Sequence, residues 1–281
     1  MFTYKPVQPS STKMRHLYYI LQLADNALIL GQRLGEWCGH APILEQDIAL
    51  TNTALDDIGQ ARSLYQYASD VFNDLPEAEK KAVFASPLIQ QVAGAVAEDD
   101  LASLRDAWDF RNLLLVEQPN GDWAQTVTRS FFFDVFQFLL YTELAKSPDE
   151  RLAAVAEKSL KEVTYHKRWS SEWMIRLGDG TAESQRRAQE AVDKLWPYTG
   201  ELFLPSAADD FAAASGIAPD LSLLKDKWTS EVIDILQEAT LQMPDNNWTQ
   251  QGGKEGRHSE HLGYILSDLQ FMQRAYPGME W

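Results

Sequence analysis

Between Gly31 and Tyr67 the chain reads GQRLGEWCGHAPILEQDIALTNTALDDIGQARSLYQY, and this stretch limits the fold more than any other. The corner Gly39-His40-Ala41-Pro42 separates two long helical patterns. Proline in a first helical turn gives up only an N–H that has no partner within the helix. Two helices must therefore fold back on each other here. Their inward positions are not all apolar: Glu36 sits among Ile29, Leu34 and Trp37, and Asp56 and Asp57 interrupt Leu50, Leu55, Ile58 and Leu64. A carboxylate between apolar helix faces is costly unless something pairs with it.

The helical pattern continues in both directions. After an arm over residues 1–12, helices are predicted from Lys13 to Cys38, Pro42 to Asn73, Asp122 to Lys146 and Asp149 to Leu177, and Gly178-Asp179-Gly180 stops the fourth. Shorter helical pieces are expected between Leu75 and Glu117, the last being DDLASLRDAWDFRNLLLVE. Further helices are expected over Thr181–Leu195, from Asp220 to Leu241 and from Ser259 to Tyr276. Nothing reads as alternating strands, repeats or a low-complexity linker, so the expected fold is an all-α bundle with additional C-terminal helices, residues 13–281 forming one domain.

A formal charge of −16 on 281 residues speaks against nucleic acid and anionic membrane as partners, because both require a basic surface. No apolar run is long enough for a signal peptide core or a membrane span, which points to the cytoplasm. The single cysteine, Cys38, reads as a buried thiol of a reducing compartment.

Each long helix carries one carboxylate candidate on an apolar stripe: Glu36, then Asp56 or Asp57, then Asp134 in SFFFDVFQFLLY, then Glu162 in LKEVTYHKRW. This is the layout of four-helix bundles that hold two metal ions, in which two helices give one Glu each and two give Glu-x-x-His. Three residues after Asp56 and Asp57 stand Gly59 and Gln60, and three after Glu162 stands Tyr165, with His166 one place later. Both expected histidine positions are thus vacant. The weighted reading is a relative of such proteins whose core carboxylates are neutralised by Arg33, Arg62, Lys167 or Arg168. The alternatives are an independent di-metal oxygenase using Glu36, Asp134, Glu162 and His166, or a bundle that stores an apolar ligand.

The strings LGEWCGHAPILEQDIALTNTALDDIGQAR, NLLLVEQPNGDWAQT, EVTYHKRW and GGKEGRHSEHLG resemble those of the C subunits of bacterial phenylacetyl-CoA epoxidases, multicomponent monooxygenases of aerobic phenylacetate breakdown. The resemblance implies a ferritin-like bundle that is structural and non-catalytic, with no cofactor of its own and Glu36, Asp56, Asp134, Glu162 and His166 as vestiges of a di-iron site. It implies a homologous catalytic A subunit that holds di-iron and binds phenylacetyl-CoA, and a small bridging B subunit. A reductase with flavin, an iron–sulfur cluster and NADPH completes the set.

Two further stretches are candidate contacts. Asp109, Phe110, Arg111 and Asn112 bring guanidinium and aromatic groups together, a composition suited to CoA or to another subunit. In Gly252-Gly253-Lys254-Glu255-Gly256-Arg257-His258, glycine N–H groups before a helix suit an anion, and Lys254, Arg257 and His258 suit an interface. Trp169, Trp173 and Phe131 to Phe133 are expected on partner-facing helix surfaces.

Overall fold

The computed structural model describes residues 11–246, 248–277 and 279. Most of the arm expected over residues 1–12 lies outside these; Thr12 already opens the first helix. Four long helices form the bundle: α1 (Thr12–Gly35), α2 (Leu44–Asn73), α5 (Trp123–Leu144) and α6 (Glu150–Gly178). Between the second and third of these lie α3 (Glu77–Val83) and α4 (Glu98–Ser103). Among the described residues there is no strand. The order is two antiparallel helical hairpins joined by a long crossover, the arrangement of a ferritin-like bundle.

Local chemistry sets the helix starts. The Ser11 side chain accepts from the Met14 N–H, Asp122 from Gln125, and Asp149 from both Arg151 and Leu152, each satisfying donors that the first turn leaves open. The α1–α2 corner is closed by Asp47, whose carboxylate accepts from the Gly39 and Ala41 N–H groups at 2.8 and 3.2 Å. Helix α1 ends at Gly35, earlier than its apolar pattern suggests, so Glu36 and Cys38 follow it in turns and both are exposed. This corrects the reading of Cys38 as a buried thiol.

The C-terminal helices wrap the bundle. Helices α7 (Ala182–Leu195) and α9 (Ser222–Glu238) pack on α5, while α8 (Ala207–Ala214) and α10 (Glu260–Leu269) pack on α1. The last predicted helix is broken at Gln270, where α11 (Phe271–Ala275) begins. Trp228 of α9 donates from its indole to the Phe132 carbonyl at 2.9 Å, which fixes one outer helix to the bundle's apolar centre. Phe131, Phe132 and Phe133 are all buried. Trp169 and Trp173 are half-buried, edge-on to Trp123, and both donate to the Gln46 side-chain oxygen. These aromatics hold the bundle together and are not laid out as an outer surface.

The stretch after α4 departs furthest from its pattern. Only a 3-10 turn forms at Ala107–Asp109, and residues 110–118 run non-helical through the interior, buried at every position. Buried backbone polar groups must find partners, and here side chains from distant segments supply them. The N–H groups of Arg111, Leu113 and Leu114 donate to Asp25, Asn26 and Glu201 at 2.7, 2.8 and 2.8 Å. The Glu117 carbonyl accepts from Arg33, and the Gln118 carbonyl from Arg129. Charged acceptors strengthen such bonds, and they outcompete the local helix.

Candidate functional site

At the middle of the bundle, polar side chains from α2, α5 and α6 meet. Asp57 is fully buried, and neither of its carboxylate oxygens has a hydrogen-bond partner. Burial therefore raises its pKa to about 8, with the nearby carboxylates of Asp134, Asp56 and Glu162 adding to the shift and His166 opposing it. Asp134 is also buried, and burial raises its pKa to about 6, with His166 and Ser170 opposing the shift.

His166 lies in this interior, 1% exposed. Its Nε2 is 3.0 Å from Asp56 Oδ2, and its Nδ1 has no partner. Burial opposes charging the ring, but the Asp56 bond and the charges of Asp57 and Asp134 outweigh it and raise the pKa. Asp56 is about one-third exposed, so the imidazole connects the interior with the surface of α2. Beside it runs a chain of amides: Gln137 donates to the Gln60 side-chain oxygen at 3.1 Å, and Gln60 donates to Glu162 at 3.0 Å. Glu162 is half-buried, and burial raises its pKa. Chemically, the set can hold and share protons between a buried acid and an imidazole.

Of the cations expected to neutralise the core carboxylates, Arg33 does so for Glu36, and the other three are engaged elsewhere. Arg33 pairs with Glu36, Arg62 with Glu98 and Lys167 with Glu231, while Arg168 lies over the Tyr165 ring. Glu36 is absent from the cluster, held on the surface by Arg33 and Asn120. The buried arginine near Asp134 is Arg129, whose pKa burial and then Arg33 pull down to about 9.

The residues present do not fit a pair of metal ions. On α2, Gln60 stands three places after Asp57, where an imidazole would be needed. On α6, the residue three places before His166 is Val163, fully buried and without a donor atom. On α1, the position facing Asp57 is Gly31, whose added Cβ would lie 3.2 Å from the Asp57 Cβ. Among the described residues no three His, Cys, Asp or Glu side chains are grouped to hold a metal ion. Sequence spacing paired His166 with Glu162; the interior partner position is Val163, which the i and i+3 rule identifies once His166 is known to face inward. Gln137, three places after Asp134, follows by the same rule.

The other candidate stretches are structural. Asp109, Phe110, Arg111 and Asn112 are each at most 3% exposed, which corrects their reading as a CoA or subunit contact. Asp109 accepts from the N–H groups of Ala85, Ser86 and Asp106. Neighbouring Arg105, also fully buried, is bound by both oxygens of Asp25, and its guanidinium lies 4.2 Å from the Phe110 ring centre. The glycine stretch does present N–H groups to an anion, and that anion is the chain's own Glu201, which accepts from Gly252 and Gly253 at 2.7 and 2.8 Å. Gly253 is required because an added Cβ would lie 2.2 Å from the Asn112 carbonyl oxygen. His258 spans Glu117 at 2.8 Å and the Phe110 carbonyl at 3.0 Å, and Lys254 binds Asp209 and the Leu204 carbonyl. Of the three expected interface residues only Arg257 is exposed, and it pairs with Glu255.

Over its whole length, residues 1–281, the chain matches the phenylacetic acid catabolic protein family. It belongs to that family. A relative from Escherichia coli K12, named as the C subunit of 1,2-phenylacetyl-CoA epoxidase, is 44% identical over 263 residues, covering 94% of this chain and 98% of the relative. Within this phenylacetic acid catabolic protein no described helix is long and apolar enough to cross a membrane.

Proposed function

We propose that this chain is the structural, non-catalytic subunit of a phenylacetyl-CoA 1,2-epoxidase. It pairs with and stabilises a homologous catalytic subunit that holds the di-iron centre and binds phenylacetyl-CoA. A small bridging subunit and a reductase carrying flavin, an iron–sulfur cluster and NADPH complete the assembly, which acts in the cytoplasm.

One observation carries the reading: the bundle interior keeps the polar layout of a two-metal protein but has Gly31, Gln60 and Val163 where donors would be needed. Two irons require more oxygen and imidazole donors than Asp57, Asp134 and His166 offer. The name of the E. coli relative supports membership in the same complex.

The test is elemental mass spectrometry for iron, manganese and zinc on the purified chain, alone and after co-expression with the catalytic subunit of its source. The expected result is metal near zero alone, with iron and epoxidase activity only in the co-purified complex. Metal approaching two ions per isolated chain, or epoxidation by this chain with a reductase, would overturn the proposal.

A further inference from the structure

The outer face of α2 carries an apolar stripe that the described residues leave largely uncovered. Ile43, Leu44, Ile48, Leu55 and Ile58 are 52%, 71%, 52%, 61% and 37% exposed, although large apolar side chains gathered in one patch mark an interaction site. Leu44, Ile48, Asn52, Leu55 and Gly59 are spaced by four, four, three and four residues, the seam of one helix laid along another.

Gly59 adds an independent observation. It lies in the interior of a long helix, where glycine costs about 1 kcal/mol relative to alanine. It is exposed, and a Cβ built on it would meet nothing within 4 Å. No contact among the described residues explains a glycine there. A second backbone passing close over the helix does, since glycine at a helix crossing lets two backbones approach.

Charge speaks against a second copy as the occupant. A second copy would bring −16 against −16, and Glu45 and Asp56, which flank the stripe, would face like charge. We infer that the α2 face from Ile43 to Gly59 is the docking seam for an apolar helix of the catalytic partner subunit, which lies across Gly59. This rests on the proposed pairing and adds which surface makes it. The partner's helix presents small and aliphatic side chains at the same spacing, in a surface less acidic than this chain's own.

The test is co-expression of tagged chain with the catalytic subunit, followed by affinity capture and light scattering. Three variants are compared with wild type: I48Q/L55Q, G59F, and F271S on the exposed α11 surface. All three change exposed positions, and circular dichroism on each isolated chain verifies folding. Wild type and F271S should form the complex, whereas I48Q/L55Q and G59F should bind at least about 10-fold more weakly. If wild type binds and both α2 variants bind as well as wild type, the seam is wrong while the pairing stands. Failure of the wild type to bind overturns both. A wild-type chain that is dimeric alone and becomes monomeric in the α2 variants would assign the seam to a second copy and overturn the inference.

Discussion

Asp25 on α1 and Asp57 on α2 are both fully buried, on helices packed against each other. Asp25 has every oxygen engaged: Tyr65 and Arg105 donate to one, Arg105 and the Arg111 N–H to the other. Neither oxygen of Asp57 is engaged. The same contrast extends outward. Around Asp25, the buried acids Glu117 and Glu201 accept from donors of the non-helical segment and of residues 252–259, and Asp109 accepts from the N–H groups of Ala85, Ser86 and Asp106. Around Asp57, the His166 Nδ1 and a Gln137 oxygen are left without partners. A fully satisfied polar network specifies a fold, and a partly satisfied one costs stability. The first network, in which every carboxylate oxygen is engaged although the Asn112 Oδ1 and the Ser259 Oγ lack partners, is therefore architecture, and the second keeps a layout that stability alone would replace with aliphatic side chains.

The largest expected effect breaks the satisfied side. D25A leaves the Arg105 guanidinium buried without its carboxylate and should cost about 3–5 kcal/mol, read by urea denaturation; a loss under about 1 kcal/mol would remove Asp25 from the architecture. Next, H258A removes the ring that lies between Glu117 and the Phe110 carbonyl and leaves a buried acceptor short of a donor, at about 2–3 kcal/mol, and hydrogen exchange across residues 110–118 should accelerate. Unchanged protection there would mean that Glu201 and Asn26 suffice to hold the segment.

The unsatisfied side is sharpened by pH. Folded Asp57 keeps its proton to about pH 8, while the unfolded chain loses it near 3.8. The folded state then binds more protons across that window, so this group's contribution falls as pH rises, by up to about 1.4 kcal/mol per pH unit. His166, also raised, has the same sign: its contribution is complete below its unfolded value and is lost as pH climbs through the folded one. D57N removes the ionisation, so its stability relative to wild type should rise steadily as pH goes from 5 to 8. Denaturation of both proteins from pH 5 to 8 checks this, and parallel curves would refute it. Smallest of all, G59A should stabilise the isolated chain by about 0.5–1 kcal/mol, since no described residue opposes a methyl group there. Thermal melts of the two isolated chains read that difference.

Much of the bundle is legible in the sequence because its determinants are local. Ser11, Asp122 and Asp149 stand where helices begin, and the periodic apolar stripes of α5 and α6 run between them. The segment 104–118 is not legible, because its helical pattern competes with acceptors on Asp25, Asn26 and Glu201, more than eighty residues away. Within the candidate site, Asp134 and His166 stand out as polar groups on apolar stripes and are buried. Glu36 misleads because its apolar neighbours belong to α1, whose last turn closes just before it. Asp56 and Asp57 are adjacent in sequence, and only the packing of α1 over Gly31 decides which of them turns inward.

The bond from Glu201 to the N–H groups of Leu114, Gly252 and Gly253 joins three segments made at very different times during synthesis. A ribosome delivers residues 110–118 long before Gly252 exists, so the long helices can pair while their central segment still lacks its acceptors and its cover. Closure of the domain is therefore a late event, timed by the emergence of Gly252 and Gly253. Until then, the nascent chain exposes a nearly continuous aliphatic run, Leu113 to Val116, and for that interval a chaperone has something to hold.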